Sequence, residues 1–166
     1  MNPIFTFNKL LPIPNISTGV FSALNSFGGF TNVALVNEGT GTNYGIEFTL
    51  ERDFENNLFY MATISLFQSK YKAKNGIEYN SRFNSNYLAN FQIGKEFPIR
   101  GNANKVFGTT IKGVYAGSNR TTPILLDESI AAGETVRDNT RPWEGRVSDY
   151  WRADLQVFYR WNRPKA

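Results

Sequence analysis

The sequence predicts an all-β protein, an antiparallel up-and-down meander of about five long strands, and three observations lead to it. Five stretches alternate apolar and polar residues over about ten positions, and successive strand side chains point to opposite faces, so each stretch has an oily and a wet side. The connections between them run short, medium, short and very long, the pattern of a meander with its longer loops on one side. Aromatic residues make up 15% of the chain, with 14 Phe and 8 Tyr, which favours strands over helices. Strands of this length, oily on one face and polar on the other, are what a bilayer-spanning barrel requires. The expected architecture is therefore an open, curved partial transmembrane barrel with long loops on one side.

Residues 1–33 are punctuated by Pro3, Pro12, Pro14, Gly19, Gly28 and Gly29 and carry no sustained period. They read as a loop-rich N-terminal segment with one helical turn near Phe21 to Ser26. Asn37 to Thr42 (Asn-Glu-Gly-Thr-Gly-Thr) is a turn-rich approach to the first strand, Asn43 to Asp53, where Tyr44, Ile46, Phe48 and Leu50 oppose Gly45, Glu47, Thr49 and Glu51. Phe54 to Asn57 has hairpin length and leads into the second strand, Leu58 to about Tyr71, with Tyr60, Ala62, Ile64 and Leu66 on the oily face. Lys72 to Arg82 is a polar loop. The third strand, Asn84 to Phe97, turns Tyr87, Ala89, Phe91 and Ile93 outward. Pro98 to Lys105 is a turn, because Pro cannot donate to a central ladder and Gly101-Asn102 favours reversal. The fourth strand runs from Val106 to about Ala116, and Gly117 to Ser148 is a long, proline-broken loop. The fifth, Tyr150 to Trp161, alternates most cleanly: Trp151, Ala153, Leu155, Val157, Tyr159 and Trp161 take one parity, Arg152, Asp154, Gln156 and Arg160 the other.

Composition excludes several functions. The chain has neither Cys nor His, which removes disulfides, zinc sites, cysteine nucleophiles and the Ser-His-Asp arrangement. A net charge of +4, with the cations scattered among polar and acidic neighbours, argues against a nucleic-acid partner. No run of about 18 apolar residues forms a spanning helix. The start, Met1-Asn2-Pro3-Ile4-Phe5, lacks the basic start, apolar run and cleavage site of an export signal. An exported protein with this start is expected to be a mature or trimmed form, or an internal piece of a longer chain.

Asn37-Glu38-Gly39-Thr40-Gly41-Thr42-Asn43-Tyr44-Gly45-Ile46-Glu47-Phe48-Thr49-Leu50-Glu51-Arg52 resembles a stretch late in the barrel of TonB-dependent outer-membrane receptors of the Bacteroidetes type. Ser65 to Tyr71, Phe83 to Tyr87, Gly94 to Phe97 and Asp149 to Leu155 resemble that family as well, in its usual order. The resemblance covers about Ala34 to Pro164 and rests on many loose matches. It implies that residues 34–166 belong to a barrel of about 22 strands, with an N-terminal plug, that imports scarce nutrients such as siderophores or glycans using energy from the TonB system. The chain departs from that design in having no plug, no TonB box, too few strands and no terminal aromatic strand, so a fragment of the C-terminal barrel is expected. Its partners would then be outer-membrane lipid, the remainder of the same barrel and its plug, and the TonB system through the plug. An isolated five-stranded sheet in hydrocarbon would leave two backbone edges unpaired at several kcal/mol per group, on the order of tens in all. The second reading is a soluble or oligomeric antiparallel β-sheet protein with a binding or structural role, whose oily face packs on protein.

Glu47, Glu51, Lys112, Arg152, Asp154 and Arg160 fall at polar-face positions, where they either pair into a structural ion network or line a water-filled path. Arg141 and Trp143 on the long loop are candidate ligand contacts. Glu47 and Glu51 lie about 13 Å apart along a strand, beyond the roughly 5 to 9.5 Å used by paired carboxylates in glycosidases. Asp127-Glu128 is too small a set of oxygens for a cation, and Gly39, Gly41 and Gly45 sit in no βαβ unit. No catalytic, metal or cofactor-binding residue is assigned.

Overall fold

The computed structural model describes residues 2–4, 9–14, 19–20, 22, 34–101 and 104–162. In chain order its elements are β1 (Asn2–Ile4), β2 (Lys9–Pro14), β3 (Leu35–Glu55), β4 (Leu58–Lys72), β5 (Glu78–Asn80), β6 (Tyr87–Pro98), β7 (Lys105–Ala116), β8 (Arg120–Thr121), α1 (Leu126–Ala132), β9 (Gly145–Arg146) and β10 (Tyr150–Trp161). One antiparallel sheet in the order β1-β3-β4-β6-β7-β10 dominates, with β2 also on β3, β5 on β4, and β8 and β9 forming a separate ribbon. The sheet is open: among the described strands β10 pairs with β7 alone.

All five expected long strands are present, and β10 has the expected limits. Three expectations are corrected. The turn-rich stretch Asn37 to Thr42 is strand, because its backbone is paired on both sides, Gly39 and Thr40 with Leu11 and Leu10 of β2, and Thr40 and Gly41 with Lys72 and Tyr71 of β4. Two-sided pairing overrides the local turn preference of Gly and Thr. Within the N-terminal segment Asn2–Ile4 and Lys9–Pro14 are strands and not loop; prolines are tolerated there because the outer side of an edge strand needs no donors. The helical turn placed near Phe21 to Ser26 lies outside the described residues save Ser22. The third strand begins at Tyr87 instead of Asn84, since Asn86 adopts φ 74° and breaks the extended run.

Turn chemistry fixes the short connections. Asn56 and Asn57 take φ 52° and 61°, the left-handed pair of a two-residue hairpin whose twist matches its strands. Gly101, at φ 83°, reverses the chain between β6 and β7. Both short turns lie at one end of the sheet, and the two long connections, 73–86 and 117–149, lie at the other. The long one carries β8, β9 and α1, which Gly133 closes at φ 68°.

Register aligns the alternating faces. The rung from Phe48 passes through Ile64, Ala89 and Tyr115 to Trp151, and the rung from Arg52 through Tyr60, Ile93 and Ile111 to Leu155. Nothing described packs on this face: Phe48, Ile64, Phe91, Ile111 and Tyr159 are all exposed, and Leu155 is 69% exposed. The buried apolar side chains among the described residues are Tyr71, Ala73 and Val106, too few for a second layer. No described helix is long and apolar enough to cross a membrane.

Aromatic side chains bound the oily face at both ends. Tyr87 and Phe97 on β6, and Trp151 and Trp161 on β10, are each ten residues apart and of the same parity, and Tyr44 on β3 continues the row at the long-loop end, whereas the bulge between Arg52 and Glu55 sets Phe54 against Phe59, 6.4 Å away. The row at the long-loop end is staggered. Tyr44 stands four residues beyond Phe48, whose rung ends at Trp151 four strand steps away, a slip of one residue per strand. Lys70 and Lys72 lie beyond the row at the long-loop end, and at the other row the Lys95 and Lys105 ammonium groups stand 5.5 and 5.7 Å from the Phe97 and Trp161 rings.

Candidate functional site

The polar face carries all six charges singled out from the sequence, but spreads them over its rungs. Glu47 accepts a hydrogen bond from the Ser65 hydroxyl at 2.9 Å across β3 and β4. Arg152 donates to Asp154, two residues along β10, at 2.8 and 3.0 Å. Arg160 forms a bidentate pair with Glu96 at 2.7 and 3.0 Å, bridging β10 and β6 over β7. Lys112 lies directly opposite Asp154 in the ladder. The structure gathers only Lys112, Arg152 and Asp154, which share a cleft of about 220 Å³ with Thr110 and Gln156. Glu51 stands apart beside Phe59, Met61 and Gln92.

Two aromatic rings lie close to glycines on the same face. The Phe59 ring stands against Gly94, its ladder partner, and the Phe158 ring against Gly108; a Cβ at either glycine would come within 2.2 Å of a ring carbon. A glycine opposite a large ring lets the sheet coil while the ring shields its backbone.

The rim at the long-loop end is organised by residues with no sequence period. Asn84, fully buried, accepts from the Ser69 amide at 2.9 Å and the Asn86 amide group at 3.1 Å, and donates to Gln68 and Asn80 at 3.0 and 2.8 Å. Ser69 and Ser81 share a hydrogen bond at 2.7 Å, and Lys74 pairs with Glu38. Tyr71 is buried and donates to the Val20 carbonyl at 2.8 Å, tying the N-terminal segment to this rim.

Asp149, just before β10, receives the Tyr87 and Tyr115 hydroxyls at 2.5 and 2.9 Å and the Ser118 amide at 3.0 Å. The Tyr87 hydroxyl above all, with Tyr115, holds this carboxyl below the usual carboxylate range. The two rings stack at 5.6 Å. Nothing in the local sequence reveals the node, since its partners lie 31 to 62 positions from Asp149 in the chain. Arg120 and Arg146, opposite each other in the β8–β9 ribbon, also converge here. Burial, then the neighbouring Arg146, lowers the Arg120 pKa.

Of the two loop residues, Arg141 is engaged by Glu144 in a bidentate pair at 2.6 and 2.7 Å, which raises the guanidinium pKa and lowers that of the carboxyl. Trp143 adopts φ 58°, an uncommon conformation for a bulky residue, held by its amide on the Thr122 hydroxyl at 3.3 Å and by the Arg82 guanidinium 6.0 Å from its ring.

Among the described residues no three carboxylates converge as a cation site requires. The surfaces on hand are a sparsely charged polar wall, an uncovered oily wall and a hydrogen-bonded rim. No family model, curated protein or solved structure matches this chain.

Proposed function

We propose that this chain forms part of the barrel wall of a TonB-dependent outer-membrane receptor, an importer of nutrients such as siderophores or glycans, and has no catalytic residues of its own. One observation carries the membrane reading: aromatic pairs ten residues apart on β6 and β10 bound an uncovered oily band. Ten residues rise roughly 34 Å along a strand, or about 26 Å along the normal at a tilt of roughly 40°, close to the ~25 Å apolar band of outer-membrane barrels. The same tilt moves the membrane plane about 4 Å along each neighbouring strand 4.8 Å away, close to one residue. The aromatic row slips by that amount. The cations of the oily face sit beside the rows, where long side chains reach water.

The polar wall then lines the bore. Glu47, Glu51, Glu96 and Asp154 nearly balance Lys112, Arg152 and Arg160, so this portion of the wall neither strongly attracts nor repels an ionic solute, and selectivity rests with the loops and plug. The long connections gather at one end, as extracellular loops do. The unpaired edge of β10 requires a further strand in hydrocarbon, which the remainder of the barrel supplies. The assignment to TonB-dependent receptors, as opposed to barrels in general, is supported by the resemblance of Asn37 to Arg52 and of Asp149 to Leu155.

The test is fractionation of the natural protein containing this chain. It should stay with the envelope through alkaline carbonate washing and leave it only in detergent. Recovery in the carbonate wash or the soluble fraction would refute the reading.

A further inference from the structure

Arg120 and Arg146 are paired with each other and with no anion. They occupy directly opposed positions in β8–β9, where like charges repel. Both guanidiniums donate to the same oxygen, Asn86 Oδ1, at 2.8 and 2.6 Å. Their other bonds go to the backbone carbonyls of Asn84, Glu144 and Ser85. Neither forms an ion pair among the described residues. Of the nearby carboxylates, Asp149 is held by two tyrosine hydroxyls and reaches Arg146 only through space, and Glu144 is paired with Arg141. Arg146 lies 5.9 Å over the ring of Tyr87, on the oily side of the sheet in the aromatic row. Directly below, a groove of about 360 Å³ is lined by Tyr44, Ile46, Leu66, Gln68 and the same Asn86. Asn86 is thus the shared wall between a net-positive arginine pair and an apolar slot.

We infer that Arg120 and Arg146, with this groove, seat a single phosphate-bearing lipid, its headgroup phosphate on the two guanidiniums and an acyl chain along Tyr44, Ile46 and Leu66. The inference rests on the membrane-wall reading. The lipid is an anionic one: a phosphomonoester carries more charge and no tethered ammonium that competes with the two guanidiniums, a difference worth about tenfold over a zwitterionic lipid. The opposed arginines are then explained, because the bound phosphate relieves their repulsion.

The test uses the full chain in dodecyl maltoside micelles, with Trp143→Phe, Trp151→Phe and Trp161→Phe and with Ile64→Trp, at an exposed oily-face position two residues from Leu66 in the groove, as the one reporter. Brominated phosphatidic acid should quench it at about tenfold lower mole fraction than brominated phosphatidylcholine. Arg146→Gln should remove the preference, Arg146→Lys should keep part of it, and Arg100→Gln, in the turn between β6 and β7 at the opposite end of the sheet, should leave it intact. Equal quenching by the two lipids overturns the seat and leaves the wall reading standing. Quenching by neither overturns both. Displacement of phosphatidic acid by inorganic phosphate at comparable concentration would mark a soluble-anion site and overturn the lipid assignment.

Discussion

Leu155→Arg separates a face that meets lipid from one that meets water. Leu155 is 69% exposed, neighbours Ile111 on β7, and lies midway between Trp151 and Tyr159, at the centre of the oily band. Little packs on it, so in water the substitution should change stability by no more than roughly 0.5 kcal/mol. An arginine at the midplane of a barrel's lipid face costs about 2–4 kcal/mol. With a urea dependence of about 2 kcal/mol per molar, a loss of ~3 kcal/mol lowers the unfolding midpoint by about 1.5 M. Gln156→Arg, one residue on and facing the other way, is the control and should move the midpoint little. The measurement is urea unfolding of the natural protein containing this chain, reconstituted in phosphatidylcholine vesicles and followed by tryptophan fluorescence. Equal shifts for the two variants, or a raised midpoint for Leu155→Arg, would refute the reasoning.

Gly108→Ala drives a methyl group into the Phe158 ring and should destabilise by about 1–3 kcal/mol; in a Phe158→Ala background the penalty should nearly vanish, and an undiminished penalty would show that the ring does not cover the glycine. Asn57→Val places a β-branched residue at φ 61° and should cost about 1–2 kcal/mol, while Asn57→Gly should be neutral or stabilising, both read from urea midpoints. The Asp149 carboxyl, held below its ordinary pKa by Tyr87 and Tyr115, binds a proton less readily folded than unfolded. Its contribution is complete above the unfolded value of about 4 and is lost as pH falls through the lower folded one. The melting-temperature gap between the natural protein and Asp149→Asn should therefore close on acidification; a gap constant from neutral to strongly acid pH would contradict the bond network.

The five long strands were legible because one-sided exposure writes period two into the sequence, and β10 does so without interruption from Tyr150 to Trp161. Leu35 to Thr42 escaped because Gly39, Thr40 and Gly41 carry turn propensity, and only the pairing with β2 and β4 makes them strand. Pro12 and Pro14 hid β2 in the same way, since a proline reads as a break unless the residue is known to lie at an edge. The polar-face charges could be placed on a face from parity alone, but their partners could not: Glu96 meets Arg160 only through the register of two ladders. Asp149, Asn84 and the Arg120–Arg146 pair sit in or beside aperiodic loops, where tertiary hydrogen bonds decide the structure and leave no local pattern to read.

The most direct measurement is site-directed spin labelling along β10 in a bilayer, which the absence of native cysteine makes clean. Labels at Ala153, Leu155 and Val157 should be relaxed mainly by oxygen dissolved in lipid, and labels at Asp154, Gln156 and Phe158 mainly by a water-soluble nickel chelate. Equal access of both relaxants to both rows, or an oily row shielded from both, would contradict a wall with lipid on one side and water on the other.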